Sequence, residues 1–362
     1  MKHKATYIVT ILLAIAASAS AGTPEVPQNA TVDSIVQRSD SSRWKIMLGG
    51  NVLLGAKSSF TGIGATTSKP LPPLTGQRNR EYDDGYNKID SAGNANGLTW
   101  NFGFDDSSQY NQANDTLELS ISRSAGNGSA SDNLDPQPGF NLVGYYEVGE
   151  IAGITLGSQG SAKWGFRTGI GYNRIDTESA GSVLSDVTRT QDSFDTNGVV
   201  LPNGPYSGDF SGPGLLIGDS PTRASMTITD GASTDGVRSL DADFYSIVLG
   251  AYLELPLNQK LSLLIEGGGL IVIASGDYQY NSSTLISGFP AVNNSGNASE
   301  TDVLGGLSLG LDLNYQFTSN WGAYLGIHYQ YLNPYKINAN GSNAKLTFDS
   351  AFLTSMGVIY RF

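Results

Sequence analysis

His3 and His328 are the two histidines of the chain, and His328 sits in an alternating stretch with Tyr324 and Gln330 on its own face and Asp349 and Ser355 further along. A histidine beside serine or a carboxylate is the group that activates a hydroxyl or a water for nucleophilic attack. The other ionisable residues of matching parity are Lys45, Glu118, Glu147, Arg167, Glu254, Glu266, Asp312, Asp349 and Arg361. They are mixed in sign, which suits mutual pairing in a buried polar network, where a lone charge costs several kcal/mol. Asp83-Asp84-Gly85, Asp230-Gly231 and Asp235-Gly236 offer oxygen ligands for Ca²⁺, but none follows the twelve-residue EF-hand order, and Asx-Gly pairs are first of all turn formers. Gly267-Gly268-Gly269 falls inside a strand pattern, so it does not read as a phosphate-cradling loop. The absence of cysteine removes disulfides and lipidation through an N-terminal cysteine. No cofactor and no metal are expected.

The elements that must hold these residues are strands. A period of two appears in Trp44 to Ala56, Leu98 to Phe104, Leu117 to Ile121, Phe140 to Val148, Lys163 to Ile175, Asp243 to Leu255, Leu261 to Ala274, Val303 to Phe317, Trp321 to Tyr331 and Leu346 to Phe362. Each has one apolar face and one polar or glycine-rich face. The count gives an all-β, antiparallel up-and-down barrel of about ten strands. If the short Leu98 and Leu117 segments form a loop hairpin the number is eight, and strands hidden in Asp176 to Leu240 would make it twelve. Links between strands alternate in length. Asn258-Gln259 and Ser319-Asn320 are short, while Lys57 to Gly97, Ser124 to Pro138, Asp176 to Leu240, Tyr280 to Glu300 and Lys336 to Lys345 are long. Short turns at one end and long loops at the other are how a membrane barrel is strung.

Both ends of the chain point the same way. Lys2 and Lys4 precede an apolar run from Tyr7 to Ala17 and the small residues Ala19-Ser20-Ala21, so residues 1–21 read as a secretory signal peptide. Residues 22–43 are then expected as a periplasmic N-terminal segment and 44–362 as the barrel domain. At the other end, Ser355-x-Gly357-x-x-Tyr360-x-Phe362 resembles the sorting signal on the last strand of bacterial outer-membrane β-barrels of the small outer-membrane-protein-A/X or opacity type. The resemblance covers the mature chain as pattern and only its last eight residues as motif. It implies recognition by the barrel-assembly machinery, an outer-membrane location with both termini periplasmic, contact with lipopolysaccharide, and long extracellular loops.

Function follows from which face carries what. A formal charge of −12 leaves no basic stripe for nucleic acid. Lumen residues Lys45, Arg167, Glu254, Glu266, Asp312, His328, Asp349 and Arg361 are expected to pair and fill a narrow barrel, with Glu254 and Asp312 answering Lys45 and Arg361 near one rim. The expected role is then structural or adhesin-like, with an extracellular ligand held by the Ser-, Asn- and Gly-rich loops. Recurring lumen glycines, such as Gly49, Gly310 and Gly326, open the alternative of a narrow diffusion channel, because small side chains leave room. An outer-membrane hydrolase built on His328 is the third reading.

Overall fold

The computed structural model describes residues 43–66, 69–152, 154 and 161–362. The expected signal peptide (1–21) and the segment 22–43, apart from Arg43, lie outside the described residues.

Eight strands form a closed antiparallel ring: β1 (Trp44–Leu54), β2 (Gln137–Ile151), β3 (Ala162–Asp195), β4 (Thr222–Pro256), β5 (Leu261–Ile286), β6 (Val292–Gln316), β7 (Trp321–Leu332) and β8 (Ala351–Arg361). Neighbours in sequence pair, and β1 closes the ring by pairing with both β2 and β8. Eight is the lower of the expected alternatives. Leu98 to Phe104 and Leu117 to Ile121 are not barrel staves, because their apolar side chains have a separate core to enter: Phe102, Leu117 and Leu119 are fully buried above the ring.

The outer face explains the ring. Outward residues of β3 to β6 line up as a cross-strand row, Tyr172, Tyr245, Ile273 and Val303, and the next row out is Arg174, Asp243, Ser275 and Thr301. The continuous apolar band therefore ends along one line of the sheet, and the exposed apolar residues beyond it, such as Leu184, Val237 and Leu285, stand among polar neighbours. Below it, Phe166, Leu249, Ile271, Leu307, Leu309 and Leu325 are exposed. A further aromatic set at the turn end includes Trp44 against Tyr146 and Trp321 against Tyr360. From Trp164 to Tyr172, β3 supplies the nine or so residues that a tilted strand needs to cross hydrocarbon.

Four strands continue well past that line. β3 runs from Arg174 to Asp195 beyond it, roughly 70 Å of contour at about 3.3 Å per residue. The stretches read as long loops, Asp176 to Leu240 and Tyr280 to Glu300, are thus mostly strand, with β5 and β6 joined by only residues 287–291. Against their inner faces packs a second antiparallel sheet in the order Tyr335–Ala339, Ser342–Thr347, Lys57–Ile63, Gly128–Asn133. Leu346 to Phe362 is accordingly two strands, broken at Asp349-Ser350. The break lets Phe348 turn inward to meet Phe244. One apolar core joins the sheet to the upper barrel, from Leu53 and Leu332 up to Phe60, Ile63 and Ala344.

At the tip, Thr116–Ser124 pairs with the end of β3, and short strands Gly85–Asn87, Phe102–Phe104 and Tyr206–Ser207 form a small sheet. Tyr82, Phe102, Phe104, Leu119, Phe194 and Ile217 make a core for this head.

Candidate functional site: a filled lumen and a folded head

The inward parity of the strands stacks the lumen in layers. In the layer nearest the turns, Glu254 is the hub. Its Oε2 accepts from Lys45 Nζ at 3.2 Å, and its Oε1 accepts from an Arg361 guanidinium nitrogen at 2.6 Å and from Ser262 Oγ at 2.7 Å. Lys45 and Arg361 face each other across the β1–β8 closure, so two cations on adjacent strands share one acid from the opposite wall. The Lys45 ammonium also lies 4.7 Å and 5.1 Å from the ring centres of Tyr145 and Tyr252, where the aromatic faces attract it.

The middle layer holds the other acids. Glu266 pairs with Arg167 and accepts from Tyr145 Oη at 2.9 Å. His328 stands between two carboxylates, with Nδ1 3.1 Å from Glu266 Oε1 and Nε2 3.1 Å from Asp312 Oδ1. Asp312 therefore pairs with His328, not with Lys45 or Arg361 as the sequence suggested: it shares a cross-strand row with Leu264 and Glu254, but its neighbour on β7 is Gly326, which leaves the His328 imidazole two residues on to reach it. Above these groups the lumen turns apolar, with Leu53, Val272, Leu332 and Phe348 over a small cavity of ≈ 70 Å³.

Two expected members of the network lie elsewhere. Asp349 is exposed, in the turn before β8, and only its backbone carbonyl is engaged, by Tyr329 Oη at 2.8 Å. Glu118 belongs to the head. Glu147 pairs with Lys163 at 3.0 Å, half-buried at the turn end. Of the terminal motif, Ser355 is buried and faces inward, Gly357 lies opposite Gly49, Tyr360 is half-buried against Trp321, and Phe362 is exposed.

At three lumen glycines the space is taken by a neighbouring side chain. A Cβ on Gly310 would collide with His328, one on Gly326 with Asp312, and one on Gly49 with Tyr324. Each of these three is the seat of a neighbour's polar side chain. Spacing alone shows a small residue and cannot show what lies over it.

The head was not legible as a unit in the sequence. Its centre is Arg80, with no exposed surface, whose guanidinium donates to the carbonyls of Pro73, Leu74, Gly76 and Asp219. Tyr82 Oη donates to Asp192 at 2.6 Å, and Arg223 makes two bonds to the same carboxylate at 2.7 Å. Burial pushes the Tyr82 phenol far up, and the Asp192 hydrogen bond adds to this. Asp83 and Asp84, weighed as Ca²⁺ ligands, accept from the backbone amides of Ser122 and Ser120, each at 2.7 Å. They pin one head strand to another.

The closed ring and its apolar band decide the class. The protein is a membrane-spanning, closed antiparallel β-barrel. Solved structures similar to the barrel include the outer membrane protein OprG of Pseudomonas aeruginosa (11% identity, 88% of this chain and 95% of that chain, TM-score 0.32). The outer membrane protease OmpT of Escherichia coli matches at 10% identity over 91% of this chain and 99% of its own, TM-score 0.31. The attachment invasion locus protein Ail of Yersinia pestis, solved with the heparin analogue sucrose octasulfate, matches at 11% identity over 89% of this chain and 100% of its own, TM-score 0.24. Likeness at this level assigns no role. No family model matches the barrel, and no curated protein does.

Proposed function

We propose that this barrel is a non-catalytic surface-interaction protein: a plugged anchor that presents a folded head outside the cell, with both termini and the short turns facing the periplasm. The observation that carries the reading is the head itself. Strands that need about ten residues to cross a membrane continue far beyond it and support a separate buried core, Tyr82 to Ile217, ordered by a fully buried arginine. A barrel serving only as a wall has no use for such a structure. Support for a plugged anchor comes from the lumen, where the Lys45–Glu254 and Arg167–Glu266 pairs, one in each layer, lie under an apolar cap.

On this reading the C-terminal strand is what the assembly machinery takes up, and lipopolysaccharide surrounds the rows beyond Tyr172 and Val303. The test is to display the full chain and a variant lacking residues 69–122, with 187–228 replaced by a short turn, on bacterial cells. Binding to host cells or matrix by the parent, lost in a variant that still assembles, is the expected result. Equal binding by both removes the head from the function.

A further inference from the structure

We propose that His328 and Asp312, with Ser355 at the same point and Glu266 behind the imidazole, form a divalent-metal site of zinc type inside the barrel.

The argument begins with the imidazole. A neutral ring has one N–H, yet both ring nitrogens of His328 face carboxylate oxygens at 3.1 Å. With the proton on Nδ1, directed at Glu266, the Nε2 lone pair is left against Asp312 Oδ1. Two acceptors in contact repel unless something positive lies between them. Glu266 is in direct contact with Arg167, whereas among the described residues Asp312 has no lysine or arginine at ion-pair distance, Arg167 and Lys45 acting on it only through space.

The surroundings are shaped for a cation. Among the described residues Asp312 Oδ2 and Ser355 Oγ, on side chains of residues 1% and 3% exposed, have no hydrogen-bond partner of good geometry, although the Tyr324 hydroxyl acts on Ser355. Asp312, through its other oxygen Oδ1, and Ser355, through Oγ, reach one place. The position where Gly326 would carry a Cβ lies 2.9 Å from His328 Nε2, 2.9 Å from Ser355 Oγ, and within collision range of Asp312 Oδ1. Gly326 thus leaves a gap on which a nitrogen, a carboxylate oxygen and a hydroxyl converge.

Chemistry selects the metal class. Imidazole with carboxylate suits Zn²⁺ at arms of about 2.0–2.2 Å, and a tetrahedron of that size has an edge of about 3.3–3.6 Å, so the observed Nε2–Oδ1 separation of 3.1 Å needs to open by only a few tenths of an ångström. A ligating histidine ordinarily donates its other N–H to a carboxylate, which is where Glu266 stands. Glu266, Asp312 and His328 also place ligand atoms within 4.8 Å of one another.

The experiment is metal retention. The mature chain is refolded in detergent with Zn²⁺, or with Co²⁺ as a spectroscopic substitute, then freed of loose metal on a chelating column and assayed for metal per folded barrel. About one ion per chain is expected, with cobalt showing the visible bands of a four-coordinate site. Asp312→Asn should abolish retention, and Glu266→Gln should weaken affinity about 10–100-fold. If those variants fail to fold, Ser355→Ala, a small change, should still weaken it. Folded parent protein that retains no metal overturns the proposal and leaves a proton between His328 and Asp312. Retention undiminished in folded Asp312→Asn or Ser355→Ala places the ion elsewhere and overturns it equally.

Discussion

Glu254 shows how one side chain decides the fate of two others. Among the described residues it is the one carboxylate in direct contact with Lys45 and Arg361, so Glu254→Ala leaves a buried ammonium and a half-buried guanidinium facing each other across the closing seam. Removing one partner of a buried pair costs about 3–5 kcal/mol. Denaturant midpoints in detergent should fall accordingly, and an unchanged midpoint would show that the rim is solvated. Asp349 supplies the contrast. Its carboxylate lies outside the lumen, so Asp349→Ala should stay within about 0.5 kcal/mol of the parent. A large loss there would mean that the turn before β8 carries a contact not seen in the structure. In the head, Arg80→Ala orphans four carbonyls at once and should open residues 69–124 to protease while the barrel stays folded; an uncut head would relegate Arg80 to a minor role.

At the scale of strands, the membrane boundary is a line of registered residues, and its sharpness can be measured. Leu309 faces lipid in mid-band, whereas Thr301 lies one row beyond Val303. Arginine at 309 should cost about 2–4 kcal/mol and arginine at 301 about 0–1. Similar costs at both positions would move the boundary. The head strands have their own titration. Tyr82 is held protonated in the folded head, well above the ordinary tyrosine value of about 10. The unfolded head releases that proton first, so its stability is fully present below about pH 10 and is lost as pH rises above that, by up to about 1.4 kcal/mol per unit. Proteolysis of the head against pH, repeated with Tyr82→Phe, isolates this contribution. A slope that survives the substitution assigns it to another group.

For the whole molecule, the filled lumen and apolar cap forecast a silent barrel in a planar bilayer. Steady single-channel openings from correctly folded protein would return the diffusion-channel reading, with Arg167 and Glu266 as its selectivity residues.

Alternation in Lys163 to Ile175 or Val303 to Phe317 determined by itself that the chain makes two-faced strands, which face meets lipid, and where apolar character stops. Those properties depend on residues two apart and are local. Connector lengths similarly showed that turns gather at one end. Strand number was decided only by the tertiary structure, since Leu98 to Phe104 alternates as a barrel strand does and differs in having a head core to enter. The same holds for partners. That Glu254 serves Lys45 and Arg361 while Asp312 serves His328 depends on register across β4, β5 and β6 and on closure of β1 against β8, contacts between residues far apart in the chain. The glycines stayed open for the same reason: whether Gly310 or Gly326 opens a channel or seats a side chain depends on the strand beside it, and only the closed ring supplies that strand.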